Sequence, residues 1–204
     1  MITVKDLTYK YDSRFCALFN VNLQFIDNKN YLIFSMQELE SQTLFRILSK
    51  QYKDYSGEIF IDNANLKSIP LNKLNIAYIT KEPFLINNKS VLYNIAYPQI
   101  IRGEDKTKSL ENAKSILINF GFENLINKKT KDLSKEEKIT ITILRATIRK
   151  PKYILIDDIF SDDERRINLI YKLSKNSQLI FAINDINKRD RFKDFELISL
   201  SSIE

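Results

Sequence analysis

A chain of 204 residues, 44% hydrophobic and 28% charged, carries enough apolar surface for one sizeable core and is too short for two full domains, which excludes a disordered chain. Its longest apolar runs, such as Tyr153 to Ile156 and Leu179 to Ile183, are strand-sized, against the roughly 18 to 20 residues of a spanning helix, so any membrane association has to go through a partner. The net charge of +6 is dispersed among Asp and Glu, which reads as a solvated surface rather than a nucleic-acid face.

The opening Met1 to Asp6 lacks the basic start and apolar core of a secretion signal, and the single Cys16 has no internal disulfide partner. Both point to a cytoplasmic protein. Cys16 is expected to be a small core residue.

The first third reads as strands. Ala17 to Phe25 alternates apolar and polar residues, and Tyr31 to Phe34 is a short apolar run, so a half-buried strand precedes a fully buried one. A loop follows, then a helix over Ser41 to Tyr52 with Leu44, Phe45, Ile47 and Leu48 at helical spacing, and Gly57 to Asp62 resumes strand alternation. The middle holds a strand at Asn75 to Thr80, a helix at Ser90 to Ala96 and a polar hinge at Arg102 to Asp105. A helix over Thr107 to Phe120 is stopped by Gly121, and another over Glu136 to Arg149 is closed by Pro151. Then come a buried strand at Lys152 to Asp157, a helix at Asp163 to Ser174 and strands at Gln178 to Asn184 and Phe195 to Leu200. Alternation of strand and helix in this half predicts a mainly parallel α/β sheet.

Several fragments, in order, resemble the ATP-binding domain of ABC transporters over nearly the whole chain. Val4 to Tyr11 is similar to that family's first strand and places Tyr11 where an aromatic stacks on adenine. Gly57 to Asp62 resembles the strand after the phosphate-binding helix. Glu82-Pro83-Phe84-Leu85 with Ser90 to Ala96 resembles the stretch after the Q-loop. Leu133-Ser134, Leu144-Arg145-Ala146 and Pro151 resemble the signature motif, its helix and the turn into the second acidic strand. The resemblance implies an α/β, P-loop NTPase-like ABC ATPase fold over residues 1–204, with a mixed sheet core, an antiparallel β part and a helical subdomain at about 84–149.

The departures carry as much information. The family's phosphate loop is Gly-x-x-x-x-Gly-Lys-Ser/Thr, because glycine lets the backbone curl around phosphates and lysine neutralises them. Here the aligned stretch is Ser35-Met36-Gln37-Glu38-Leu39-Glu40-Ser41-Gln42-Thr43. Both glycines are lost, Ser41 takes the lysine position, Gln42 replaces the magnesium-binding hydroxyl, and Thr43 is kept. The signature Leu-Ser-Gly-Gly-Gln appears as Leu133-Ser134-Lys135-Glu136-Glu137, with side chains where glycine amides approach a phosphate. Asp157 keeps the magnesium-orienting position, while Asp158 stands one methylene short of the catalytic glutamate. Lys81 holds the Q-loop glutamine position and Asn184 that of the switch histidine, in a chain with no histidine.

Simpler roles stand beside these. Tyr11 is either an adenine platform or an edge-strand aromatic; Asp157 and Asp158 either bind a cation or orient a turn. Thr43 reads as a first-turn helix residue, and Lys81 faces either a phosphate or Glu38 and Glu40. The resemblance implies a domain that does not hydrolyse ATP alone, a structural or regulatory half beside an active ABC ATPase subunit, as heterodimer or homodimer, or beside a membrane permease, with Phe84 to Gly121 as the partner-binding region. No cofactor is expected, ATP and magnesium binding at most at low affinity, with Asp157 the candidate metal ligand. Catalytic residues are expected to be absent, and the protein to lie in the cytoplasm, peripheral to the membrane only through a permease. The alternatives are a weak or complex-dependent ATPase using Thr43, Asp157 and Asp158, and a basic nucleic-acid-binding module.

Overall fold

The computed structural model describes residues 1–82, 84–158 and 163–200. The chain divides into two compact units, one of Met1–Tyr78, Lys152–Asp163 and Ser177–Glu204, the other of Ile79–Pro151 and Glu164–Asn176. In chain order the strands are β1 (Ile2–Lys10), β2 (Cys16–Phe25), β3 (Tyr31–Phe34), β4 (Ser56–Ile61), β5 (Ala64–Asn65), β6 (Ile76–Ile79), β7 (Tyr153–Ile156), β8 (Gln178–Ile183) and β9 (Glu196–Ser199). Helix α1 (Glu38–Leu48) connects β3 to β4.

The first unit segregates its strands by direction. One sheet runs β2-β1-β4-β5 with antiparallel pairs; the other runs β6-β7-β8-β3-β9, with β8 parallel to both β7 and β3, and β3 parallel to β9. Direction follows from patterning. β1 and β2 mix buried with exposed residues, as a sheet with one covered face requires, whereas every residue of β7 and of β8 is buried, as strands covered on both faces require. The core gathers Ile2, Phe25, Tyr31 and Ile33 with Leu44, Phe45, Ile47 and Leu48 of α1 and Tyr153, Leu155 and Ile180. β1 is bulged around Asp6, whose φ of 50° is one an aspartate tolerates. There the Asp6 N–H donates to Asn22 Oδ1 at 2.9 Å in place of a ladder partner.

Three expectations are corrected. α1 begins at Glu38, not Ser41, and ends at Leu48, because Glu38, Leu39 and Glu40 are strong helix formers and no glycine holds them out of the helix. Thr43 therefore sits in the second turn, not the first. Cys16 is exposed at the start of β2 rather than buried in the core.

The second unit is helical: α2 (Val91–Ile100), α3 (Lys106–Asn119), α4 (Lys135–Thr147) and α5 (Glu164–Leu173). α2 runs past Ala96 and carries Pro98 in its last turns, where the lost N–H costs one bond near the helix end. Its starts are capped: Ser90 accepts from the Tyr93 N–H and Asp105 from the Lys108 N–H. α3 stops at Gly121, whose φ is 77°. Val91, Ile95, Ala113, Leu117, Ile141 and Leu144 form a separate apolar core. The buried Asn94 holds the preceding loop, accepting from the Ile86 N–H at 2.7 Å and donating to the Ile86 carbonyl at 3.1 Å.

Candidate functional site

Where a phosphate loop would lie, the strand β3 and the helix α1 are joined by Ser35, Met36 and Gln37 alone. None of the three has a positive φ, so this connection has no position that demands glycine. The Ser35 N–H donates to the Ile183 carbonyl at 3.1 Å, the Ser35 side chain is buried with its hydroxyl unpaired, and Met36 is 86% exposed. Leu39, Glu40 and Ser41, which correspond to loop residues of the phosphate-binding pattern, are wound into helix.

The first turn of α1 carries Glu38 and Glu40, and carboxylates there stabilise the positive end of the helix dipole. Gln42 Nε2 donates to Glu38 Oε1 at 2.9 Å, and Ser41 Oγ donates to the Glu38 carbonyl at 3.0 Å. Both residues aligned with the lysine and the magnesium-binding hydroxyl are thus engaged with Glu38. Thr43 Oγ1 is 2.6 Å from the Leu39 carbonyl and 2.9 Å from Tyr11 Oη. A carbonyl only accepts, so the threonine proton goes to Leu39 and Tyr11 donates to Thr43.

Tyr11 lies just past the end of β1, in an aromatic cluster. Its ring meets those of Tyr9 and Tyr52 edge-on at 5.2 and 5.9 Å, and Tyr9 and Tyr52 stack face to face at 5.1 Å. Arg46 of α1 lies 5.5 Å from the Tyr52 ring centre and donates to the Tyr52 hydroxyl at 2.6 Å. Burial pushes the Tyr11 hydroxyl above its ordinary pKa, keeping it a neutral donor.

The two acids at the end of β7 are both buried. Asp157 Oδ1 accepts from the Tyr78 hydroxyl at 2.7 Å, and Asp158 takes Lys188 Nζ on both oxygens at 2.9 Å. Burial, then the Asp157 charge, raise the Tyr78 pKa far above normal. Among the described residues no three His, Cys, Asp or Glu side chains cluster to hold a metal ion. Asn184 is exposed beyond β8, beside Asp185, which caps the following turn. Lys81 stands exposed in the second unit, in the bend after β6, and Pro83 lies outside the described residues.

In the second unit, the signature-like stretch is a helix cap. Ser134 Oγ accepts from the Glu137 N–H at 3.2 Å while Glu137 Oε2 accepts from the Ser134 N–H at 2.8 Å, a reciprocal capping box for α4. Glu137 also takes Lys128 at 2.7 Å, and Glu136 takes Arg166 at 2.7 Å.

Sequence reasoning missed Tyr52, Tyr78 and Lys188. Tyr78 had a signal, since it lies one residue before the end of β6, a strand that borders the acidic one. Lys188 had none, because it reaches Asp158 from a turn 30 residues away in sequence.

A parallel sheet with a helix after β3 and paired acids closing β7, next to an antiparallel sheet and accompanied by a helical unit, defines an α/β nucleotide-binding cassette. The ATP-binding cassette MJ0796, in a dimeric post-hydrolysis state bound to ADP and Pi, matches with a TM-score of 0.81 and 23% identity, over 98% of this chain and 94% of that one. A second dimeric structure of MJ0796, described as a bacterial ABC transporter cassette, matches with the same TM-score of 0.81 and the same 23% identity and coverage. The ABC transporter family profile matches residues 42–161, and the chain belongs to that family.

Proposed function

We propose that this ABC-family domain is a non-catalytic half, a structural or regulatory partner for an active ATPase subunit, a membrane permease, or both. The observation that carries the reading is the connection between β3 and α1: the helix starts at Glu38, and its positive end is complemented by the chain's own Glu38 and Glu40. A triphosphate placed there would meet each carboxylate at a cost on the order of 3 kcal/mol at about 5 Å with an effective dielectric near 20. Two such costs and a missing lysine offset most of a micromolar affinity, which is about 8 kcal/mol. The hydroxyl of Thr43 is engaged by Leu39 and Tyr11, and Asp158 is neutralised by Lys188. These residues do not fit magnesium-ATP in the family's usual pose.

Partner binding is supported by the second unit, which exposes Phe84, Ile101 and Ile118 at 89%, 60% and 51%. Both matching structures of the MJ0796 cassette are dimeric, and a pairing of this chain with an active copy is the corresponding arrangement here. The alternative, an ATP-binding subunit with weak or complex-dependent ATPase activity, is favoured by the retention of Asp157 just past the end of β7.

Calorimetric titration of magnesium-ATP into the purified protein tests the reading, with a Glu38→Gly, Glu40→Gly, Ser41→Lys variant alongside. The native protein is expected to give no saturable heat; binding tighter than about 100 μM, equivalent to roughly 5.5 kcal/mol, overturns the electrostatic case. Co-purification with a neighbouring ATPase subunit, followed by an ATPase assay with and without Asp157→Ala, separates the two readings.

A further inference from the structure

At the far end of α1 from its Glu38 start, the first unit contains a cavity of about 440 Å³ that the site described above does not use. Ile47 of α1, Lys50 just past its end, the 52–55 segment ahead of β4 and the 66–71 segment after β5 line it. That volume falls within the roughly 300 to 1,000 Å³ typical of small-molecule sites. Its walls are amphipathic in one particular way. Ile47, Leu66, Ile69 and Pro70 supply apolar surface, Lys50, Lys53 and Lys67 supply charge, and no acidic side chain lines it.

The positive charge is held in place but not neutralised. Lys50 Nζ donates to the main-chain carbonyls of Leu66, Lys67 and Ile69, which uses all three of its N–H groups and fixes its charge at the cavity wall. Lys67 Nζ donates to the Tyr55 carbonyl at 3.3 Å and lies 4.6 Å from the Tyr55 ring centre, which leaves it two donors. Lys53 is exposed at the rim. None of the three takes part in a described ion pair. Carbonyls and an aromatic face carry no formal charge, so the lining residues bring three cationic groups and no anionic one next to an apolar wall, with Asp54 beside it between Lys53 and Tyr55.

We propose that this cavity binds a small organic anion with an apolar body, such as an aryl-alkyl carboxylate. Its head is taken by Lys53 and Lys67 under the fixed charge of Lys50, and its body packs against Ile47, Ile69 and Pro70. None of the residues aligned with the phosphate loop takes part, so the proposal is independent of whether ATP binds.

The test is amide chemical-shift titration of the full chain with 4-phenylbutyrate, with the neutral 4-phenylbutanol, and with an acidic peptide, acetyl-Glu-Asp-Phe-Glu-amide. The expected result is saturable shifts confined to residues 47–55 and 66–71 with a Kd below about 1 mM for the carboxylate, and affinity lower by about tenfold or more for the alcohol. Lys53→Gln, at an exposed position that leaves the fold intact, and the double variant with Lys67→Gln are each expected to weaken carboxylate binding, the double variant by about tenfold or more. The proposal is overturned by no saturation at about 10 mM, by equal binding of the alcohol, by shifts outside these segments, or by binding of the peptide alone.

Discussion

Around Tyr153 a cluster of charges ties the edges of the first unit together. Lys152 Nζ donates to Asp62 at 2.6 Å and to Asp27 at 3.3 Å, Tyr153 Oη donates to Asp62 at 2.9 Å, and the Met1 amine pairs with both carboxylates. Burial opposes ionisation of Asp62, but the hydrogen bonds from Lys152, the Met1 amine and Tyr153 outweigh it and bring its pKa down to about 2. A depressed carboxylate pKa means stability that is present above the unfolded value of about 3.9 and lost as pH falls through the folded one. Because Asp62 is 46% exposed, solvent screening reduces the contribution to about 1 kcal/mol. Asp62→Asn is therefore expected to lower stability by about 1 kcal/mol at pH 7 and to flatten the acid limb between about pH 4 and 2, measured by urea unfolding across pH. A variant curve parallel to the native one through that window would show that the cluster contributes nothing. Residue chemistry of this kind was partly legible in the sequence. The loss of glycine and lysine at positions 35–43 is a fact of the sequence, but the pairing of Asp158 with Lys188 and of Thr43 with Tyr11 depends on strands and turns distant in the chain, which local patterning does not join.

At the scale of the element, the close crossing of β1 and β4 depends on one glycine. Gly57 has a φ of 91°, and a Cβ there would lie 2.5 Å from the Lys5 and Asp6 carbonyl oxygens. Backbone strain and overlap act together, so Gly57→Ala is expected to cost more than about 2 kcal/mol, read as a fall in Tm. An unchanged Tm would mean that the β1 bulge opens to take the methyl group without strain. Elements were largely legible because periodicity reports burial directly: the continuous runs at β7 and β8 read as fully covered strands, and the repeat from Leu110 to Leu117 as a helix with one covered face. Boundaries were less so. The start at Ser41 followed from the apolar spacing of Leu44, Phe45, Ile47 and Leu48, which carries no signal for the turn before it, and the helix instead begins at Glu38, where local propensity allows.

The chain forms two compact units, each with its own apolar core, and passes between them repeatedly, at Tyr78, Lys152, Asp163 and Ser177. Leu117 is fully buried in the helical core and absent from the core of the first unit. Leu117→Ala should cost about 3 kcal/mol through the cavity it leaves. Hydrogen exchange is expected to lose protection in α2, α3 and α4 and to keep it in β7 and β8. Equal loss in both units would show that they unfold as one cooperative body.

The order of the parallel sheet also sets a timetable. β3 is synthesised long before both of its neighbours, β8 and β9, with Tyr31 paired to Ile180 on one side and Glu196 on the other. A nascent polypeptide therefore carries the first strand of its parallel sheet unpartnered on both edges until β8 and β9 have been made. Sheets completed by such distant pairings form slowly and expose sticky edges meanwhile. A chain interrupted before β8 thus lacks both strands that flank β3, and such a product is destined for chaperones or proteases rather than for a partner.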